Sequence, residues 1–212
     1  MRYVESLGRP ALAALLALAA AGCATVAPPP DSAPAPVQPA GPPPVSAAAQ
    51  QSFDDAVRAL AAGQLAQAES AFRALTLSHP ELGGPHADLG LIYRRSGRLP
   101  EAVAALEQAV QASPQQPQYL NQLGLAYREQ GRFDQAREAY ERALSADPDY
   151  AVATLNLAIL NDLYLGDSRR ALALYERYLA LTPQGDPQVG KWVVELNKRK
   201  PQQLAANRKE QP

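Results

Sequence analysis

At 212 residues the chain has room for one domain with a sizeable core plus appendages, and 20 basic against 21 acidic residues leave a formal charge of −1. So even a balance points to no nucleic-acid or other polyanionic partner, and a single cysteine excludes an internal disulfide. Residues 1–22 begin with Arg2 and Arg9 and continue into an apolar run over residues 11–21. That run is too short to span a bilayer as a helix and reads as a secretory signal peptide, to be removed from the mature protein.

Cys23, the sole cysteine, closes this segment after Ala20, Ala21 and Gly22. The arrangement resembles the lipobox of bacterial lipoproteins, with Ala20 standing where leucine is commoner. The resemblance implies that Cys23 is acylated and becomes the new N-terminus, several acyl chains on one residue being enough for stable anchoring. Ala24 rather than an aspartate after the cysteine resembles lipoproteins sorted to the outer membrane, facing the periplasm. Ordinary cleavage with Cys23 as an incidental thiol is the alternative. Residues 24–45 then hold nine of the 20 prolines and almost no charge, a composition that favours extended polyproline conformation over packing. Residues 23–46 therefore read as a lipid-anchored linker, a stalk reaching up to ~70 Å at ~3.1 Å per residue. A PxxP-type ligand for a recognition domain is the other reading of the same prolines.

From residue 47 the apolar spacing turns helical. Phe53, Ala56, Val57 and Leu60 share one face of a first helix, and Leu65, Ala68, Phe72 and Leu75 share one face of a second, over residues 65–78. Further helices are predicted over residues 85–95, 99–112, 118–130, 133–146, 151–165 and 168–181. After Pro183, Asp186 is the predicted N-cap and Pro187 the first residue of a ninth helix over residues 187–199, with Val189, Trp192, Val193 and Leu196 on one face. Residues 201–212 are polar, aperiodic and expected to be disordered.

These helices repeat in register. Gly63, Gly97, Gly131 and Gly166 stand 34, 34 and 35 residues apart, and Pro80, Pro114, Pro148 and Pro183 follow at the same interval. Counting units from residues 49, 83, 117 and 151, the eighth place holds Ala56, Gly90, Gly124 and Ala158, and small residues recur at Ala68, Ala102, Ala136 and Ala171. Phe72, Leu106, Tyr140 and Tyr175 recur as the large residues of the second helices. Small residues permit close helix approach and large ones fill the space between hairpins. Each glycine supplies the left-handed residue that ends a first helix, and each proline separates one unit from the next. A period of this length marks a solenoid whose hairpins bury their apolar faces only by stacking. The fourth unit carries one extra residue near Leu163 to Leu165, predicting a longer first helix or a bulge.

The pattern resembles the tetratricopeptide repeat family, and residues 117–150 match it nearly throughout. The resemblance implies an all-α, right-handed superhelical solenoid over residues 47–200, with repeats at about 49–82, 83–116, 117–150 and 151–185 and a C-terminal capping helix. It also implies binding of a protein or peptide on the concave face lined by the first helices. The lining places are the fifth (Phe53, Ala87, Asn121, Leu155), the ninth (Val57, Leu91, Leu125, Ile159) and the twelfth (Leu60, Arg94, Arg128, Asp162). The ninth-place ladder is wholly aliphatic. Family members that clamp a C-terminal carboxylate use asparagine there with nearby lysine, and this chain has neither. An apolar segment steered by exposed Arg94 and Arg128 is the expected ligand; partial burial of the ladder by the superhelix itself is the alternative.

Chemistry beyond binding finds no support in the residues. His79 and His86 lie seven apart with no cysteine or carboxylate in a metal-ligand pattern, and no phosphate loop or nucleophile elbow occurs. The expected protein is not an enzyme and takes no cofactor or metal. Residues 50–185 hold 12 Arg, no Lys and 16 acidic residues, whereas residues 191–212 hold six basic ones, a tail that is either solvated or in touch with anionic lipid. Two functions fit the layout. One is a membrane-tethered adaptor or scaffold that helps assemble an envelope complex, as in the layout of pilus secretin pilotins or of repeat proteins beside TonB-type transducers. The other is an accessory regulator that recruits a cell-wall, peptidoglycan-acting enzyme.

Overall fold

The structure is a computed structural model that describes the backbone of residues 45–209 and the side chains of residues 45–198. The expected signal peptide, Cys23, the linker up to residue 44 and residues 210–212 lie outside the described residues. The described residues form α1 (Ala47–Ala61), α2 (Leu65–Ser78), α3 (Gly83–Arg95), α4 (Leu99–Ala112), α5 (Pro117–Glu129), α6 (Phe133–Ala146), α7 (Ala151–Leu163), α8 (Ser168–Leu181) and α9 (Pro187–Lys209). Each odd-numbered helix up to α7 packs antiparallel on the next, and each hairpin stacks on its neighbour. None of the described helices is long and apolar enough to cross a membrane.

The repeated residues perform the tasks their chemistry predicts. Gly63, Gly97, Gly131 and Gly166 have φ of 75°, 73°, 75° and 70°, the left-handed conformation that stops a helix without a Cβ penalty. After Gly131, for example, the Arg132 N–H returns to the Tyr127 carbonyl at 2.9 Å and closes the turn. Ala68, Ala102, Ala136 and Ala171 are all fully buried. A Cβ on Gly124 would lie 2.5 Å from the Tyr140 ring, and one on Gly90 would lie 2.4 Å from Leu106, so the eighth place must be small for the large residue opposite to sit flat against it.

Some limits of helices differ from expectation. The first helices of the second and third repeats start at Gly83 and Pro117, slightly earlier than predicted. The fourth repeat accommodates its extra residue without lengthening its first helix, since α7 has the same 13 residues as α3 and α5. The added residue goes into the turn, where the Leu165 N–H reaches the Leu160 carbonyl at 3.1 Å and the Asp167 N–H the Asn161 carbonyl at 2.9 Å. Finally, α9 runs past the expected end at 199 to Lys209, through Pro201, so residues 201–209 are helical where a disordered tail was expected. Asp186 caps this helix as predicted, its Oδ1 accepting from the N–H groups of Gln188 and Val189. Val189 and Leu196 are buried, and Trp192 lies with its ring 5.4 Å from that of Tyr175, closing the end of the stack.

Repeats are also tied edge to edge. Arg98, in the turn after α3, bonds Glu69 on α2 at 3.0 Å while its guanidinium lies 4.3 Å from the centre of the Tyr93 ring. Arg170 on α8 reaches Glu141 on α6 across the same separation of 29 residues. Such half-exposed pairs contribute little individually, but they fix the register of one hairpin on the next.

Candidate functional site

The face that carries the predicted lining residues is built from α1, α3, α5 and α7, which touch one another directly. Arg94 on α3 donates to Glu129 on α5 at 2.8 Å, and Asn156 on α7 donates to Asn121 on α5 at 2.9 Å. At the fifth place Asn121 is 2 % exposed, so its amide serves to join α5 to α7. Leu155 and Ile159 pack beside the cluster formed by α7, α8 and α9, and Leu125 beside the central one. Leu91 is half-buried, and Val57, in the first repeat, is the exposed member of the ladder at 38 %. The aliphatic ladder is thus a shallow, partly buried floor.

Arg94 and Arg128 were expected to be exposed, and neither is. The Arg94 side chain is 22 % exposed and held by Glu129, because α3 and α5 lie close enough for residues 35 apart to pair. Its Nε and the Nη1 of Arg128 are buried without a hydrogen-bond partner, as is the Tyr140 hydroxyl. Burial pushes the Tyr140 phenol well above its ordinary range, an effect the nearby Arg128 and Arg94 oppose. Tyr175, one repeat on, meets Asp162 at the twelfth place with its hydroxyl 3.4 Å from the carboxylate. The twelfth place of the third repeat holds Arg128 instead, whose Nη1 and the Tyr140 hydroxyl both remain without a partner.

A second strip runs along the sixth place: Asp54, Asp88, Gln122 and Asn156. The register that picked out the fifth, ninth and twelfth places would have picked it out as well, since residues i and i+3 share a helix face. Asp54 accepts from Gln50 at 2.8 Å, and Asn156 donates to Asn121. The pair equivalent to Asn121 and Asn156 one repeat earlier is Ala87 and Gln122. Alanine has nothing to offer an amide, and Gln122 Oε1 is buried without a partner. Asp88 is half-buried, with no hydrogen bond or ion pair to its carboxylate among the described residues, and burial raises its pKa from 3.8 to about 6. At the start of α3 a cleft of about 260 Å³ opens between Phe53, Gly84, Pro85 and Tyr119, rimmed by Val45 and Gln50. Phe53 is at its wall, its ring 5.7 Å from that of Phe72 and edge-on to it.

Profiles described as tetratricopeptide repeat match residues 53–117, 86–149 and 115–184. The chain belongs to the tetratricopeptide repeat family. A search of curated protein sequences returns no match. Among solved structures the chain is similar to PilF of Pseudomonas aeruginosa, with TM-score 0.66 and 20 % identity over 76 % of this chain and 72 % of that one. It is similar also to MamA 41-end from Desulfovibrio magneticus, with TM-score 0.65 and 16 % identity over 77 % of this chain and 91 % of the other. The first repeat domain of Spaghetti (RPAP3), bound to the HSP90 peptide SRMEEVD, is similar with TM-score 0.50 and 20 % identity over 53 % of this chain and 88 % of that domain. These likenesses extend to the fold alone, and it is membership of the tetratricopeptide repeat family that makes the chain a protein-binding scaffold.

Proposed function

We propose that the chain is a membrane-tethered adaptor whose repeats hold a protein or peptide segment on the face formed by α1, α3, α5 and α7 and so help assemble a complex of the cell envelope. The observation that carries this reading is the juxtaposition, on that one face, of half-exposed Leu91, Leu125 and Ile159 with the unpaired carboxylate of Asp88. Apolar floor and unsatisfied polar atoms together are what a bound segment completes, burying the first and bonding the second. The Spaghetti domain, bound to the HSP90 peptide SRMEEVD, is a tetratricopeptide domain of similar fold with a peptide ligand. The tether is the proposed lipid on Cys23, placing the repeats at the outer membrane on the periplasmic side.

The test is a photo-crosslinking residue placed at Leu91 or Leu125 in intact cells, with exposed Ala104 on α4 as the control. One partner captured at both groove positions and absent at Ala104 is the expected result. Capture only at Ala104 would move binding to the second helices. A captured envelope component agrees with the adaptor reading, whereas a peptidoglycan-cleaving enzyme would make the chain its recruiter.

A further inference from the structure

We propose that the cleft between α1 and the start of α3, walled by Phe53 and Tyr119 with Asp88 one turn above it, receives a lysine or arginine side chain of an extended partner segment. This names a ligand chemistry within the groove reading and rests on it.

The cleft exists because of two glycines. Gly83 and Gly84 begin α3 in right-handed conformation, so a positive φ does not explain them. Close approach does. A Cβ on Gly83 would lie 2.8 Å from the Tyr119 ring, and one on Gly84 would lie 3.2 Å from the Phe53 ring and 3.7 Å from the Tyr119 hydroxyl. The same two places hold Ala49 and Gln50, Pro117 and Gln118, and Ala151 and Val152 in the other repeats. Only in the second repeat do rings of the first and third repeats, Phe53 and Tyr119, both close on bare glycine backbone. Glycine is a poor helix former, so its use twice in succession gives up local stability for that space.

Asp88 follows Gly84 by four residues and so stands on the same helix face one turn further on. It acts electrostatically on Tyr119, whose phenol it raises together with burial. No arginine of α1, α3 or α5 forms an ion pair with it. Arg58 is paired with Asp55, and Arg94 with Glu129. Arg94 also lies six residues further along α3, about 9 Å at the helical rise. An unpaired carboxylate held out of bulk water is a net cost to the fold, and a cation from outside removes it. The aromatic walls suit the same guest, since a lysine or arginine stem packs on a ring while its charged head remains attracted to the ring face.

The experiment is an NMR titration of the full chain with capped nonapeptides that differ only in a central Arg, Lys, Gln or Glu, read at the backbone amides of Gly84 and Asp88. The Arg and Lys peptides should shift these amides at concentrations roughly tenfold below the Gln peptide, a difference of one decade in affinity. Asp88→Asn should erase the preference, and Asp88→Glu should keep it, with helicity unchanged in both. Equal response to Arg and Gln, no loss in Asp88→Asn, or no shift with any peptide overturns the proposal. So does stronger binding of a peptide spanning residues 28–44, which contains no lysine or arginine and would make the chain's own proline-rich segment the occupant. Crosslinks at Leu91 and Leu125 that persist without any cation preference would leave the groove reading standing and remove only this site.

Discussion

A carboxylate without a partner leaves a signature that can be measured before any ligand is known. Asp88 has its pKa raised by burial from 3.8 to about 6, so between those values the folded chain binds a proton that the unfolded chain releases. Stability contributed by the protonated acid is therefore complete below about pH 4 and is lost as pH rises toward 6. Two pKa units correspond to roughly 3 kcal/mol, but the group is half-exposed and solvent screening reduces this to about 1 kcal/mol. Asp88→Asn should accordingly raise the melting temperature at pH 7.5 and leave it unchanged near pH 3.5, as followed by circular dichroism. A substitution that stabilises the fold while abolishing cation binding is what a functional residue produces, since sites commonly sacrifice stability for recognition. Gly124 behaves oppositely. Alanine there gains up to about 1 kcal/mol of helix propensity, but its Cβ would meet the rigid Tyr140 ring at 2.5 Å. The clash should win, for overpacking in a closed core costs about 1 to 3 kcal/mol. Urea denaturation of Gly124→Ala should show a net loss, and a gain would mean that Tyr140 can withdraw.

At the scale of elements, legibility followed from how many constraints met at one residue. The second helices α2, α4, α6 and α8 begin and end where the spacing predicted, because a left-handed glycine precedes each and a proline follows soon after its end. First helices were blurred at their starts, where Gly83 looks like a loop residue until Tyr119 is seen packed over it. The inserted residue of the fourth repeat was visible as a count, but counting cannot say on which side of the last helical turn it falls. Among site residues, the placement of Leu91, Leu125 and Ile159 on one strip followed from the period. The pairing of Arg94 with Glu129 and the isolation of Asp88 did not, because both depend on which side chains reach each other across helices and which do not. The capping helix offers the test at this scale. Val189 is 1 % exposed against Tyr175 and its neighbours, so Val189→Asp places a charge in that cluster. In a solenoid each repeat leans only on its neighbours, so the damage should stay local. Hydrogen exchange should lose protection in α8 and α9 while α3 to α6 keep theirs, and Trp192 fluorescence should shift to the red. Uniform loss of protection would show that the stack unfolds as one cooperative unit.

For the molecule as a whole, the strip of sixth places and the strip of twelfth places lie on either side of the aliphatic ladder, the first acidic at Asp54 and Asp88, the second holding Arg94 paired with Glu129. The two flanks of the ladder thus differ in charge, which favours one orientation of a segment lying along it over the reverse. Such a scaffold gains from being held near its partner, because tethering converts capture into a local event governed by linker length. The proposed tether is a lipidated Cys23 followed by the proline-rich residues 24–44, a stretch whose composition favours extension over collapse. Two variants separate anchoring from reach. Cys23→Ser should move the protein from the membrane fraction to the soluble fraction, and unchanged fractionation would remove the lipid from the proposal. Deleting residues 28–43 should leave fractionation intact but shorten the span by up to ~50 Å at the polyproline rise of ~3.1 Å per residue. Crosslinking from Leu91 should then fall if the partner stands off the membrane, and stay constant if the partner lies at the bilayer surface. Since the deletion touches none of the helices, a change in melting temperature would instead reveal that the proline-rich segment rests on the repeats.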